Sequence, residues 1–176
     1  MMNIDQALGL IRSIPDYPKT GVVFKDITPM LQSGEALACV IQTLSTTAGA
    51  SDVVAAIEAR GFILGAGLAV HRGCGFVPLR KKGKLPHTTH ARSYGLEYGV
   101  DELEIHADAF ISDSRVLLLD DVLATGGTII AGIELVKAAG GAIDEVIVLL
   151  EIGFLNGRAK IAARFPEITI TALALI

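Results

Sequence analysis

The chain has 176 residues, the length of one domain with a full core, and 51% of them are apolar, 5% aromatic and 19% charged. A net charge of -4 gives no general attraction for nucleic acid, and no apolar run reaches the roughly 18 residues of a membrane span. Two cysteines, Cys39 and Cys74, lie in apolar surroundings, which argues against a disulfide framework and for a reduced, cytoplasmic setting; no signal peptide is visible.

Ile4, Leu8 and Ile11 recur at helical spacing and predict a helix over 3–13. Pro15, Pro18 and Gly21 make the following stretch an ordered loop. Residues 22–27 read as a short extended piece closed by Thr28 and Pro29. Leu37, Val40, Ile41 and Leu44 share one face of a predicted helix over 34–48. The apolar run at 52–57 is the first core strand. It ends at Glu58-Ala59-Arg60-Gly61, and a small-residue helix is expected over 62–71. Residues 75–79 form the next strand. Beyond it come Arg80, Lys81, Lys82 and Lys84, then the longest stretch without periodicity, to residue 95. Segments this long are usually functional in compact domains, so an irregular lid is expected over 81–96. Residues 96–99 and 103–106 alternate apolar and polar, as strands returning from that lid would.

The most informative stretch is 115–129. Val116, Leu117, Leu118 and Leu119 form a continuous apolar run, as a strand covered on both faces requires. The run is expected to stop at Asp120 and Asp121. Ala124, Thr125, Gly126, Gly127 and Thr128 make a small-residue loop, and a helix follows from Ile129. Loop amides and a helix N-terminus can bind a phosphate dianion, and the two threonine hydroxyls can donate to the same group. A plain strand–helix turn would also use glycine, but the acidic pair ahead of it suits ribose hydroxyls or a metal ion. Gly140 and Gly141 stop the helix, 143–150 is another buried strand, 154–164 a short helix, and 168–176 a final strand. Alternating strands and helices predict a mainly parallel twisted sheet flanked by helices on both faces. Ligands in such sheets sit at the carboxyl ends of the strands, where the glutamate–arginine, basic and acidic motifs all fall. The four histidines lack metal-ligand spacing and are given no metal role.

In order along the chain, Tyr17-Pro18 with residues 21–26, Glu58-Ala59-Arg60-Gly61-Phe62, the basic stretch 80–86, Leu96-Glu97-Tyr98-Gly99 and the 120–128 motif resemble the type I purine phosphoribosyltransferases, and within them the branch acting on adenine. The resemblance spans about residues 12–158. It implies a single phosphoribosyltransferase domain over 1–176, with 1–33 a small N-terminal hood that helps bind the base. It implies transfer of the 5-phosphoribosyl group of 5-phosphoribosyl 1-pyrophosphate (PRPP) to N9 of adenine. On that basis 124–128 hold the 5′-phosphate, and Asp120 and Asp121 take the ribose hydroxyls. Glu58, Ala59 and Arg60 form the pyrophosphate loop, with an unusual cis peptide expected there. Arg80, Lys81 and Lys84 neutralise pyrophosphate, and Tyr98 lines the same site. Val23, Phe24, Lys25 and Leu155 bind adenine, with lysine where the family often has arginine. Glu97 is the acid/base residue, oriented by Arg60. Mg²⁺ is held mainly through PRPP and water, with Asp120 and Asp121 as candidate contacts, and a homodimer is implied. A transferase for another base, or a PRPP-sensing regulator without catalysis, are the rival readings.

Overall fold

The computed structural model describes residues 2–96 and 99–176. The chain clusters into two compact units, Met1–Thr46 and Thr47–Ile176. In the first, α1 (Ile4–Leu8) starts from a capping box in which Asn3 and Gln6 exchange backbone-to-side-chain hydrogen bonds. The helix ends at Gly9, short of the predicted residue 13. Arg12–Ile14 (β1) instead pairs antiparallel with Phe24–Asp26 (β2), and the Arg12 guanidinium meets Asp26 Oδ2 at 2.6 Å. Strand pairing and that ion pair outweigh the helical spacing of Ile11. Thr28–Gln32 (α2), read from sequence as a closing turn, is a short helix with Pro29 in its first turn, where the missing N–H has no helical partner to lose. α3 (Gly34–Thr47) buries Ala36, Val40, Ile41 and Leu44 on one face, as their spacing predicts.

The second unit is built on a seven-stranded sheet. Its strands are β3 (Val53–Ile57), β4 (Gly75–Lys81), β5 (Thr89–Leu96), β6 (Gly99–His106), β7 (Arg115–Leu123), β8 (Ala142–Glu151) and β9 (Thr169–Leu175), in the order β5-β6-β4-β3-β7-β8-β9. Neighbours from β4 to β9 are parallel, while β6 runs antiparallel to both β4 and β5. α4 (Arg60–Arg72) follows β3, α5 (Gly127–Ala138) follows β7, and α6 (Gly157–Arg164) follows β8.

From β3 the chain moves to β4 on one side; from β7 it moves to β8 on the other. Right-handed crossovers then put α4 and α5 on opposite faces. The packing agrees. A Cβ added at Gly65 in α4 would lie 2.6 Å from Ala56 Cβ and 3.6 Å from Val54. One added at Gly132 in α5 would lie 3.0 Å from Leu118 and 3.3 Å from Ile57. Successive residues of β3 therefore serve opposite faces, both covered, which is why these strands read as unbroken apolar runs. Fully buried side chains such as Ile57, Leu79, Leu118 and Leu119 each contribute about 1.5–3 kcal/mol.

Further boundaries differ in this unit: β4 runs on to Lys81, and β6 joins 99–106, while residues 97 and 98 of the strand expected at 96–99 lie outside the described residues. β7 does not stop at the acidic pair but runs through it to Leu123, because Asp120, Val122 and Leu123 stay in register with Val148, Leu150 and Glu151 of β8. Half of the expected irregular lid is strand: β5 takes its ladder from β6, with Tyr94 opposite Asp101. Its hydrogen-bonding partner lies later in the chain, so no local periodicity marks it. The predicted helix over 154–164 is a 3-10 turn (Gly153–Leu155), a break at Asn156 in the left-handed region (φ 55°), and then α6.

Candidate functional site

β3 and β7 are adjacent, and the chain leaves them in opposite directions, so a crevice opens between their carboxyl ends. The motif 58–61 follows β3, the acidic pair lies near the end of β7, and Arg80 and Lys81 end β4. The sheet brings these three together.

The acidic pair is almost out of water. Asp120 is 7% exposed and Asp121 6%. The Asp121 amide donates to Asp120 Oδ1 at 2.8 Å. Burial, and then the Asp121 charge beside it, push the Asp120 carboxyl well above the usual carboxylate range; the Arg60 guanidinium acts in the opposite sense. Arg60 Nη2 meets Asp121 Oδ2 at 2.8 Å. The close approach of α4 to β7 makes this contact possible: a Cβ at Gly61 would come within 3.1 Å of Asp120 Oδ1 and 3.3 Å of Leu119 O.

The Glu58–Ala59 peptide is cis, as the resemblance implied. The Glu58 side chain faces the protein: its Oε2 accepts from the Lys81 amide at 2.9 Å and sits 3.4 Å from Arg80 Nε. Arg80 also donates to the Lys84 carbonyl at 3.1 Å. Lys81 Nζ lies 2.9 Å from Asp101 Oδ2, and this ammonium, first among the causes, holds the Asp101 carboxyl below its usual range. Lys84 is exposed. The turn carrying these cations is fixed by Glu104, a buried carboxylate that accepts from the Gly83 amide at 3.0 Å.

Residues 124–128 form a tight loop ahead of α5. Gly126 is left-handed at φ 82°, and no side chain caps the helix, so its first amides are not satisfied by a capping side chain. Thr125 is exposed and Thr128 half-buried. β5 crosses the helix start, and a Cβ at Gly127 would lie 3.2 Å from the Gly95 carbonyl. The Tyr94 hydroxyl donates to Asp101 Oδ2 at 3.1 Å. Burial and then Asp101 raise its pKa above the ordinary phenol range, and a hydrogen bond with Thr128 works the other way.

In the N-terminal unit, Phe24 packs edge-on against Tyr17 with centroids 5.1 Å apart, Lys25 Nζ donates to Ser13 Oγ at 2.9 Å, and Val23 is 51% exposed. Leu155 is on the 3-10 turn after β8, 37% exposed. Glu97 and Tyr98 lie outside the described residues. Tyr94, Asp101, Glu104 and Gly157 were missed by sequence reasoning. The 89–96 pattern carries no clean alternation, and Gly157 falls inside the stretch 154–164 that reads as one helix.

Among the described residues no group of three or more His, Cys, Asp and Glu side chains is arranged to hold a metal. Two adjacent buried carboxylates facing one guanidinium still leave local negative charge. That donor set fits a cation held mostly by substrate oxygens and water, not an all-protein cage. No helix among the described residues is long and apolar enough to cross a membrane.

A family model described as a phosphoribosyl transferase domain matches residues 25–165. A relative from Thermobifida fusca named adenine phosphoribosyltransferase is 54% identical over 168 residues, covering 94% of this chain and 93% of its own. The crystal structure of adenine phosphoribosyltransferase from Thermoanaerobacter pseudethanolicus superposes with a TM-score of 0.93 at 46% identity, covering 99% of this chain and all of that one. The Giardia lamblia enzyme complexed with 9-deazaadenine matches with a TM-score of 0.92 at 37% identity, covering 100% and 99%.

Proposed function

The chain belongs to the phosphoribosyl transferase family, among its adenine-specific members, and from that premise we propose how its own residues divide the work. It transfers the 5-phosphoribosyl group of PRPP to N9 of adenine, giving AMP and pyrophosphate. A bond forms from N9 to C1′ of the ribose. The bond from C1′ to the pyrophosphate oxygen breaks, its electron pair leaves with pyrophosphate, and the imidazole proton of adenine goes to a base.

The observation that carries the residue assignment is the 2.8 Å contact between Arg60 and Asp121. It joins the loop after β3 to the acid pair of β7, so the leaving group and the ribose belong to one site. The amides of 124–128 and the hydroxyls of Thr125 and Thr128 hold the 5′-phosphate. Asp120 and Asp121 accept from the ribose 2′- and 3′-hydroxyls. The backbone of Glu58 and Ala59, with Arg60, Arg80, Lys81 and Lys84, receives pyrophosphate. Because the Glu58 side chain binds the Lys81 amide, its part is to hold the loop and let the main chain face the ligand. Glu97 takes the proton, Tyr98 lines the site where pyrophosphate meets the ribose, and Val23, Phe24, Lys25 and Leu155 hold the base. The Giardia enzyme's complex with 9-deazaadenine supports the base assignment. Mg²⁺ bound with PRPP would neutralise pyrophosphate charge, and Asp120 and Asp121 are the residues that would contact it, directly or through water. The chain works as a cytoplasmic homodimer. Catalysis here is positioning and charge neutralisation in a site shielded from water.

The test is incubation with PRPP, Mg²⁺ and each of adenine, hypoxanthine, guanine, xanthine and orotate. AMP and pyrophosphate from adenine alone is the expected outcome. Turnover of another base with no AMP would overturn the base assignment, and PRPP binding without turnover of any base would favour a sensor.

A further inference from the structure

The first residue of α6 meets the 124–126 loop backbone to backbone. A Cβ added at Gly157 would lie 2.2 Å from the Ala124 carbonyl oxygen, 2.9 Å from Leu123 Cδ1 and 3.0 Å from the Gly126 amide nitrogen. The fit is mutual: a Cβ at Gly126 would lie 2.8 Å from the Gly157 carbonyl oxygen and 3.2 Å from its Cα. Neither side can retreat, since every atom involved except Leu123 Cδ1 is main chain. Gly157 is buried.

The chain is delivered to this point by two devices. The Ile152 amide donates to the Leu123 carbonyl at 2.9 Å, which ties the exit of β8 to the exit of β7, and Asn156 then turns the chain through the left-handed region. Next to Gly157, Arg158 reaches back to the sheet. Its Nε lies 3.0 Å from each Glu151 oxygen, its Nη2 pairs with the same carboxylate, and its Nη1 donates to the Ile170 carbonyl at 2.5 Å. Glu151 is 7% exposed at the end of β8, so this charged pair is strongly held and anchors the first turn of α6 across β8 and β9.

We propose that Gly157, anchored through Arg158 and Glu151, is a positioning residue for the 5′-phosphate loop: the main chain at the start of α6 is the wall against which 124–126 take the shape that aims their amides at a phosphomonoester. The proposal rests on the reading that this loop binds the 5′-phosphate of PRPP. It touches no group that contacts pyrophosphate, so its effect is confined to one end of the donor.

The experiment is calorimetric titration of the full chain with ribose 5-phosphate and, separately, with pyrophosphate and Mg²⁺. For Gly157→Ala, ribose 5-phosphate affinity falls about tenfold or more, because a displaced loop misaims its amides. Pyrophosphate affinity stays within about twofold, as expected at a site sharing no residue with the loop. Arg158→Gln gives a smaller loss of the same selectivity, and Arg158→Lys recovers part of it; these two carry the test if Gly157→Ala does not fold. Equal loss for both ligands, or unchanged ribose 5-phosphate affinity in the folded variants, overturns the proposal. Thr128→Val separates the underlying reading: if ribose 5-phosphate binding ignores Thr128, the loop is not the phosphate site and the proposal falls with it.

Discussion

Asp120 is the residue whose environment works most against its own charge. It is buried, it has a second carboxylate as its sequence neighbour, and its one nearby guanidinium is engaged with that neighbour. Its folded-state pKa is raised, so the folded state binds this proton more readily than the unfolded chain. Protonated Asp120 therefore supports folding below the ordinary carboxylate range, and that support is lost as pH rises through the raised value. Asp120→Asn escapes the loss. At neutral pH the variant should be more stable, read as a higher Tm, and the difference between the two melting temperatures should shrink as pH falls into the ordinary carboxylate range. The same variant should bind PRPP more weakly. Melting from pH 4 to 8 with a PRPP titration checks both halves. A variant no more stable than the parent at pH 7 would mean that the charge is compensated by groups other than Arg60.

At the scale of elements, helix-to-sheet distance decides what the site can be. α4 lies close enough to β3 and β7 for Arg60 to reach Asp121, and Gly65 sets that distance, with no room for a methyl between it and Ala56. Gly65→Ala should destabilise the fold by about 1–3 kcal/mol, the cost of overpacking, read as a lower midpoint in urea at unchanged slope. It should also weaken pyrophosphate binding by lifting Arg60. The hairpin of β5 and β6 is held at several points: Tyr94 to Asp101 across the strands, Asp101 to Lys81 of β4, and Arg92 to Glu134 of α5, which Arg164 of α6 also engages. These links place Tyr94 beside Thr128, a neighbour that segment 89–96 does not advertise in its composition.

Across the whole molecule, the residues proposed for the donor keep to one compact unit, while those proposed for the base do not, since Leu155 belongs to Thr47–Ile176. The donor residues at 58–61, 80–84 and 120–128 all belong to Thr47–Ile176, whereas Val23, Phe24 and Lys25 belong to Met1–Thr46. Phe24→Ala should therefore raise the KM for adenine about tenfold, the loss of one stacked ring, and leave ribose 5-phosphate and pyrophosphate binding unchanged. Calorimetry alongside steady-state kinetics would read this directly, and a matching loss of donor affinity would contradict the division.

The buried strands and the motifs proposed for the donor were legible in the chain itself because each depends on neighbours in sequence. Val116 to Leu119 needs only to be apolar for two covered faces, and residues 120–128 carry carboxylates, small residues and hydroxyls at fixed spacing. Tertiary structure decided what depends on partners far away. The ladder with β8 carries β7 through two carboxylates that composition alone would make a stop. Pairing with β6 turns an aperiodic stretch into β5. Gly157 reads in sequence as one position of a helix over 154–164, yet it lies against Ala124 and Gly126, over thirty residues earlier in the chain. Local patterns fix which groups are present at the sheet edge; contacts between distant segments fix where each one points.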